Sequence, residues 1–145
     1  MKFYFAYGMN TNHYGMAERC PNAFYCGNGY IDNAKLVFKS VADYEHNPGF
    51  RLHGAIWWIS EECERALDVL EGYPSLYGKR IEKTIVTFSK NLQETELNVM
   101  LYKMNRDGYY PPSDYYYSML HQGYKTNRLP MAQLKKALEN AKRMG

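Results

Sequence analysis

The sequence predicts an α+β fold in a single domain covering residues 1–145. Three observations point there. Strand-like segments fill the first two-thirds of the chain. A helix with one apolar stripe interrupts them after residue 60, and proline-opened helices close the chain. The regular βαβ alternation of a parallel sheet is missing. At this length about two-thirds of the unfolded surface can be buried, so one core suffices without a metal or disulfide staple.

Residues 2–7 form an aromatic, apolar strand that ends in a turn at Gly8 and Asn10. A short helix over 12–19 stops at Pro21. The stretch 24–42, with Tyr30, Ile31, Leu36, Val37 and Phe38, reads as one or two strands. Asn47-Pro48-Gly49 reads as a turn. Gly54 to Ile59 is a continuous apolar run suited to a buried strand. Ser60 then offers an N-cap, and Glu61 and Glu62 suit the positive end of the helix dipole. Cys63, Ala66, Leu67 and Leu70 give that helix its apolar stripe, and Gly72 and Pro74 stop it. Strands follow at 79–88 and 95–103, with the turn near Asn91. Pro111-Pro112-Ser113 opens a helix to about His121. Pro130 opens a last one, with Met131, Leu134, Leu138 and Ala141 facing inward.

Composition narrows the function. The formal net charge is +3 with acids and bases interspersed, whereas nucleic-acid binders cluster basic residues on one face. Nucleic acid is therefore not an expected partner. The three cysteines are odd in number and contain no Cys-x-x-Cys pair, which argues against a disulfide framework or a zinc site. No apolar run approaches the ~20 residues of a membrane span. The opening run is also too short for a signal peptide, so a cytoplasmic protein without a membrane partner is expected. Tyrosine, at 15 residues, is unusually frequent and clusters between Tyr109 and Tyr124. Its apolar ring and polar tip suit half-buried cores and polar-ligand pockets alike.

Two places could carry chemistry. After the first strand, a glycine turn exposes consecutive backbone N–H groups, which form a nest for anions or oxyanions. Glu71 breaks two local preferences. It projects beside the apolar stripe, and its carboxylate faces the negative end of its own helix. Both effects disfavour ionisation and raise its pKa, as a general base working near neutral pH requires.

Read together, these segments resemble one family. Phe3-Tyr4-Phe5-Ala6-Tyr7-Gly8-Met9-Asn10 resembles the opening strand and Tyr-Gly-Ser-Asn loop of the gamma-glutamylcyclotransferases. Arg19-Cys20-Pro21-Asn22-Ala23 is similar to their Arg-Cys-Pro-x-Ala element. Leu67-Asp68-Val69-Leu70-Glu71-Gly72, with Tyr77 beyond, resembles the segment bearing the family's catalytic glutamate. Pro112-Ser113-Asp114-Tyr115-Tyr116, with Gly123 downstream, is similar to its Pro-Ser-x-x-Tyr element and later glycine. The resemblance implies a small mixed β-barrel with peripheral helices. It implies a small-molecule gamma-glutamyl substrate, cleaved by internal attack of its α-amino group to give 5-oxoproline, with no metal or organic cofactor. By the same resemblance Glu71 is the base. The backbone of Tyr7, Gly8, Met9 and Asn10 holds the glutamyl unit, and Tyr77 and Tyr116 line the pocket and donate hydrogen bonds. Met9 departs from the pattern, because serine is usual there.

Other readings compete. A cysteine hydrolase using Cys20 and His13 lacks any nucleophile motif around Cys20. Consecutive Tyr115, Tyr116 and Tyr117 point about 100° apart on a helix, so they make no stacking platform for bases. A non-catalytic ligand-binding or interaction module on the same fold is the alternative that the residues leave open.

Overall fold

A computed structural model describes residues 1–145. The strands are β1 (Lys2–Ala6), β2 (Phe24–Lys39), β3 (Val41–Ile59), β4 (Tyr77–Phe88) and β5 (Glu94–Met104). The helices are α1 (His13–Arg19), α2 (Glu61–Glu71), α3 (Asp114–Asn127) and α4 (Met131–Met144), and a 3-10 turn covers Met9–Thr11. The strands close into a barrel in the order β1-β3-β2-β4-β5. Neighbours are antiparallel except where β5 meets β1 in parallel at Tyr4 and Met100, so the barrel is mixed as expected.

The long β2–β3 pair corrects one expectation. The chain reverses at Ser40, which takes a φ of 71° between paired Lys39 and Val41. Asn47-Pro48-Gly49 makes no chain reversal but lies inside β3. Pairing passes from Ala34–His46 to Asp32–Arg51, so residues 47–50 bulge out opposite Asn33 alone. Asn33 Oδ1 accepts the Gly49 N–H at 3.2 Å. Pro48, which has no N–H, thus sits where the ladder is already broken.

The helices follow their local signals. Asn12 caps α1, accepting from the N–H groups of Tyr14 and Gly15. Ser60 Oγ caps α2 from Cys63 N–H at 3.1 Å, and Gly72 ends it in the left-handed region. The α2 stripe is narrower than its spacing predicts, for only Cys63 and Leu67 are buried, while Ala66 and Leu70 are exposed. Its polar flank docks instead. Lys79 on β4 pairs with Glu64 at 2.7 Å and Asp68 at 2.9 Å, and Tyr102 on β5 donates to Asp68 at 2.6 Å. α3 runs to Asn127, past the expected end near His121. α4 buries Leu134, Ala137 and Ala141, with Met131 and Leu138 half-buried. No helix is long and apolar enough to cross a membrane.

The cysteines also correct the sequence reading, because Cys20 and Cys63 form a disulfide and leave Cys26 free. The two are 43 residues apart, and folding packs the end of α1 against the start of α2 with Cα atoms 5.2 Å apart. No spacing rule sees such a pair. The bond overturns the expectation that the cysteines form no disulfide, and leaves no thiol for a hydrolase at Cys20. His13 is occupied as well, with Nε2 2.6 Å from Asn127 Oδ1.

Period-two alternation sorts β1 onto two cores. Phe5 joins Ile56, Leu101, Leu120 and Tyr124 on the α3–α4 side. Tyr4 and Ala6 join Trp57, Tyr102 and Leu67 on the α1–α2 side. One fully buried charge pins the barrel near Ala42. Asp43 pairs with Lys39 at 2.7 Å and Lys103 at 3.1 Å, and accepts the Met104 N–H at 3.0 Å. Removing one partner of such a cluster strands the others in low dielectric, at a cost of roughly 3–5 kcal/mol for a fully buried pair. Asp43→Ala should fall near the lower end of that range, because Lys103 keeps some solvent contact. Urea denaturation at neutral pH measures this, and an unchanged midpoint would show the cluster to be energetically idle.

Candidate active site

A cavity of about 230 Å³ lies where the ends of several elements converge. Tyr4 and Phe5 come from β1, Gly8, Met9 and Asn10 from the following turn, and Val41 and Ala42 from the start of β3. Leu70 and Glu71 come from the end of α2, Leu76 and Tyr77 from the entry to β4, Tyr102 from β5 and Tyr116 from α3. Tyr7 completes the lining. All seven residues singled out from the sequence therefore face one cavity, although 109 positions separate Tyr7 from Tyr116.

The turn is held from behind. Thr11 N–H and Oγ1 both donate to Gly8 C=O, at 3.1 and 2.7 Å. Trp57 Nε1 donates to Asn10 C=O at 3.0 Å. Asn127 Nδ2 donates to Thr11 C=O at 2.8 Å, and Asn12 Nδ2 to Met119 C=O at 3.1 Å, so α3 braces the turn. Glycine is needed at two contacts here. A Cβ on Gly8 would stand 2.9 Å from the Ala42 methyl, and one on Gly123 would stand 2.4 Å from Thr11 Oγ1. The N–H groups of Gly8, Met9 and Asn10 find no backbone carbonyl; that of Met9 leans on the Tyr116 hydroxyl, and all three residues line the cavity.

Tyrosines frame the opposite wall. Tyr77 donates to Ala42 C=O at 2.9 Å, while Tyr116 accepts the Ala42 N–H at 2.9 Å. Tyr7 donates to Tyr102 C=O, and Tyr124 donates to Tyr7 C=O at 2.8 Å. Burial pushes the hydroxyls of Tyr4, Tyr7, Tyr77 and Tyr116 well above the ordinary phenol range, so all stay protonated at neutral pH.

Glu71 is the one carboxylate lining the cavity. It makes neither an ion pair nor a hydrogen bond with the protein, unlike Glu64 and Asp68 one or two turns earlier. Burial raises its pKa to about 7, opposed only in part by the charge of Arg19. Arg19 Nη1 lies 3.1 Å from Asn10 Oδ1, and Nη2 lies 3.1 Å from the Met9 sulfur. A titratable carboxylate, uncapped N–H donors and phenolic walls together suit a polar molecule that must be held and deprotonated near neutral pH.

Sequence reasoning missed Tyr4, Phe5, Val41, Ala42, Leu70, Leu76 and Tyr102 in the lining. Arg19 lay within a quoted motif but had no assigned role. β1 is buried on both faces, so nothing in its pattern tells which of Phe3, Tyr4 and Phe5 meets the cavity.

Residues 4–124 match the family described as Gamma-glutamyl cyclotransferase, AIG2-like. A Mus musculus protein named gamma-glutamylcyclotransferase is 27% identical over 139 residues, covering 88% of this chain and 72% of its own length. A solved structure named gamma-glutamyl cyclotransferase superposes with a TM-score of 0.81 at 23% identity, over 94% of this chain and 85% of its own. An AIG2-like protein from Mus musculus gives 0.61 at 20% identity, over 80% and 82% of the two chains. Those two likenesses speak to fold, and the match over 4–124 to descent: this chain belongs to the gamma-glutamyl cyclotransferase, AIG2-like family.

Proposed function

We propose that this protein is a cyclotransferase that cleaves gamma-glutamyl amides, with Glu71 as the general base. The observation that carries this reading is the Glu71 carboxylate, unpaired in a phenol-lined cavity with its pKa raised to about 7. In the reaction the α-ammonium group first loses a proton to Glu71. The freed amine attacks the γ-carbonyl carbon, forming a five-membered ring. As the amide C–N bond breaks, Glu71 returns that proton to the leaving nitrogen, and the second proton that the ring nitrogen sheds on becoming the lactam N–H passes to the departing amine, which leaves as an ammonium. The residue begins and ends the cycle ionised, and the products are 5-oxoproline and a free amine or amino acid. Because attacker and target belong to one molecule, the protein contributes chiefly by holding a reactive conformer. The N–H groups of Gly8, Met9 and Asn10 hold the substrate's α-carboxylate, and the Tyr116 hydroxyl, beside Gly8, supports the same end. Tyr77 acts through packing and through its bond to Ala42.

Glu71→Gln keeps the shape but cannot take the proton, so 5-oxoproline release should fall about 10²–10⁴-fold. The wild-type rate should rise with pH through about 7, as Glu71 ionises. Stability carries the opposite trend. The folded-state pKa is raised, so the folded protein binds more protons than the unfolded chain and loses stability as pH increases between the unfolded and folded values. Glu71→Gln should therefore match wild type in melting temperature at pH 4 and exceed it at pH 8. A folded variant with the wild-type rate would remove Glu71 from the mechanism. A wild-type protein that binds gamma-glutamyl compounds without turnover would favour a binding module.

Met9→Ser should leave the fold intact and change the ranking of gamma-glutamyl amides, because it removes a cavity wall and the sulfur contact to Arg19. Steady-state kinetics over a panel of amine and amino-acid leaving groups tests this. An unaltered ranking would place the side chain outside substrate reach.

A further inference from the structure

Behind the cavity wall runs a hydrogen-bond relay whose direction is set at one end. A guanidinium has five N–H donors and no acceptor. Arg19 Nη1 stands 3.1 Å from one end of the Asn10 side-chain amide, so that end is the carbonyl oxygen. The other end is then the NH₂ group, which donates to the Tyr4 hydroxyl oxygen at 3.0 Å. Flipping the amide would set N–H against N–H, and the backbone of Asn10 is itself held by Trp57. The Tyr4 oxygen is therefore an acceptor in this bond, and its single hydrogen points elsewhere.

No protein group receives that hydrogen, although Tyr4 is only 3% exposed and lines the cavity. A buried hydroxyl in this state is a donor held ready for something absent from the protein itself. Glu71 does not receive it, for the two residues face the same space without a hydrogen bond. That leaves the hydrogen for an acceptor on a molecule bound in the cavity that both residues line. The other phenols are placed differently. Tyr7 and Tyr77 donate to backbone carbonyls and Tyr102 donates to Asp68, while Tyr116, which accepts the Ala42 N–H and also keeps its hydrogen free, stands beside Gly8 and the turn amides, at the α-carboxylate end.

We infer that the Tyr4 hydroxyl is a further catalytic group, donating a hydrogen bond to the γ-carbonyl oxygen of the bound glutamyl unit. Arg19 and Asn10 are positioning residues that aim it. The inference rests on the cyclotransferase reading and deepens it. Of the acceptors on a glutamyl amide, the α-carboxylate is served by the turn amides. The γ-carbonyl oxygen is one bond from the carbon whose two nitrogens Glu71 must reach. Negative charge grows on that oxygen as the amine attacks, and a fixed donor in an apolar site favours the charged state over the ground state. Tyr4 transfers no proton, and its hydrogen stays on its own oxygen throughout.

Tyr4→Phe removes the donor and keeps the ring against Tyr102. Its kcat for 5-oxoproline release should fall about 10²-fold while KM changes by less than about threefold, since the lost bond matters only as charge develops. Asn10→Asp supplies a second, independent variant. The new carboxylate accepts from Arg19 and from Tyr4 together, which draws the hydroxyl hydrogen out of the cavity. Rates are compared on the alkaline plateau, because the added charge also shifts the ionisation of Glu71. The Asn10→Asp loss should match that of Tyr4→Phe, and the double variant should be no worse than either single one. A merely structural role would instead make the losses add and would appear in KM and melting temperature. Wild-type kcat in either folded variant, or additive losses, would overturn the inference. Should Tyr4→Phe fail to fold, a fall in kcat at constant KM in Asn10→Asp decides alone. A wild-type protein that releases no 5-oxoproline from any gamma-glutamyl amide would overturn the cyclotransferase reading itself, and this one with it.

Discussion

The peptide unit of Ala42 is where the molecule is joined together. Tyr77, at the head of β4, donates to its carbonyl, and Tyr116, on α3, accepts its N–H. Gly8 lets the first turn touch its methyl group. Each hydrogen bond is worth only about 1 kcal/mol net, but losing either partner orphans a buried backbone group at about 1–3 kcal/mol. The neighbouring carboxylate of Asp43, between Lys39 and Lys103, keeps this stretch of β3 from sliding. Because only five residues separate Glu71 from Tyr77, anchoring Tyr77 to Ala42 also places the end of α2. Cavity shape, carboxylate position and turn geometry thus all follow from one clamped peptide.

Around that clamp the phenols divide their labour. Their rings supply the low dielectric that raises the Glu71 pKa. Most of their hydroxyls are spent on the scaffold, where Tyr7, Tyr77 and Tyr102 satisfy two carbonyls and Asp68. None is spent on Glu71, which keeps its basicity because nothing in the protein solvates it. A wall rich in tyrosine can therefore be polar in composition and apolar in effect. The frequency of tyrosine in the sequence records both roles without separating them.

Much of this was legible in the chain. Ser60, Glu61, Glu62 and Gly72 mark α2 by local chemistry, and such chemistry survives folding because it concerns only neighbours. Glu71 stood out because it contradicted its own helix. What failed was non-local. Asn47-Pro48-Gly49 has turn chemistry, but its long strand had a partner on both sides of it, and pairing turned the expected reversal into a bulge. Cys20 and Cys63 could be matched only by the packing of α1 against α2. Ala66 and Leu70 stay exposed because the Lys79 cluster rotates α2 onto its acidic flank. Tyr4 was hidden for a related reason: a strand buried on both faces offers no alternation to read.

The brace formed by α3 has a consequence for how the site comes into being. Asn12 and Thr11 are held by Met119 and Asn127, so the first turn of the chain is completed by its last third. The barrel's hydrogen bonds can form without that helix, but the nest of amides cannot be rigid until it docks. The site is therefore a feature of high contact order laid over a sheet whose ladder hydrogen bonds α3 does not make, although Leu120 and Tyr124 help fill its core. Local opening of α3 would dissolve the binding geometry while most of the β-ladder stayed intact. Competence would then track the docking equilibrium of one helix, not the global stability of the fold.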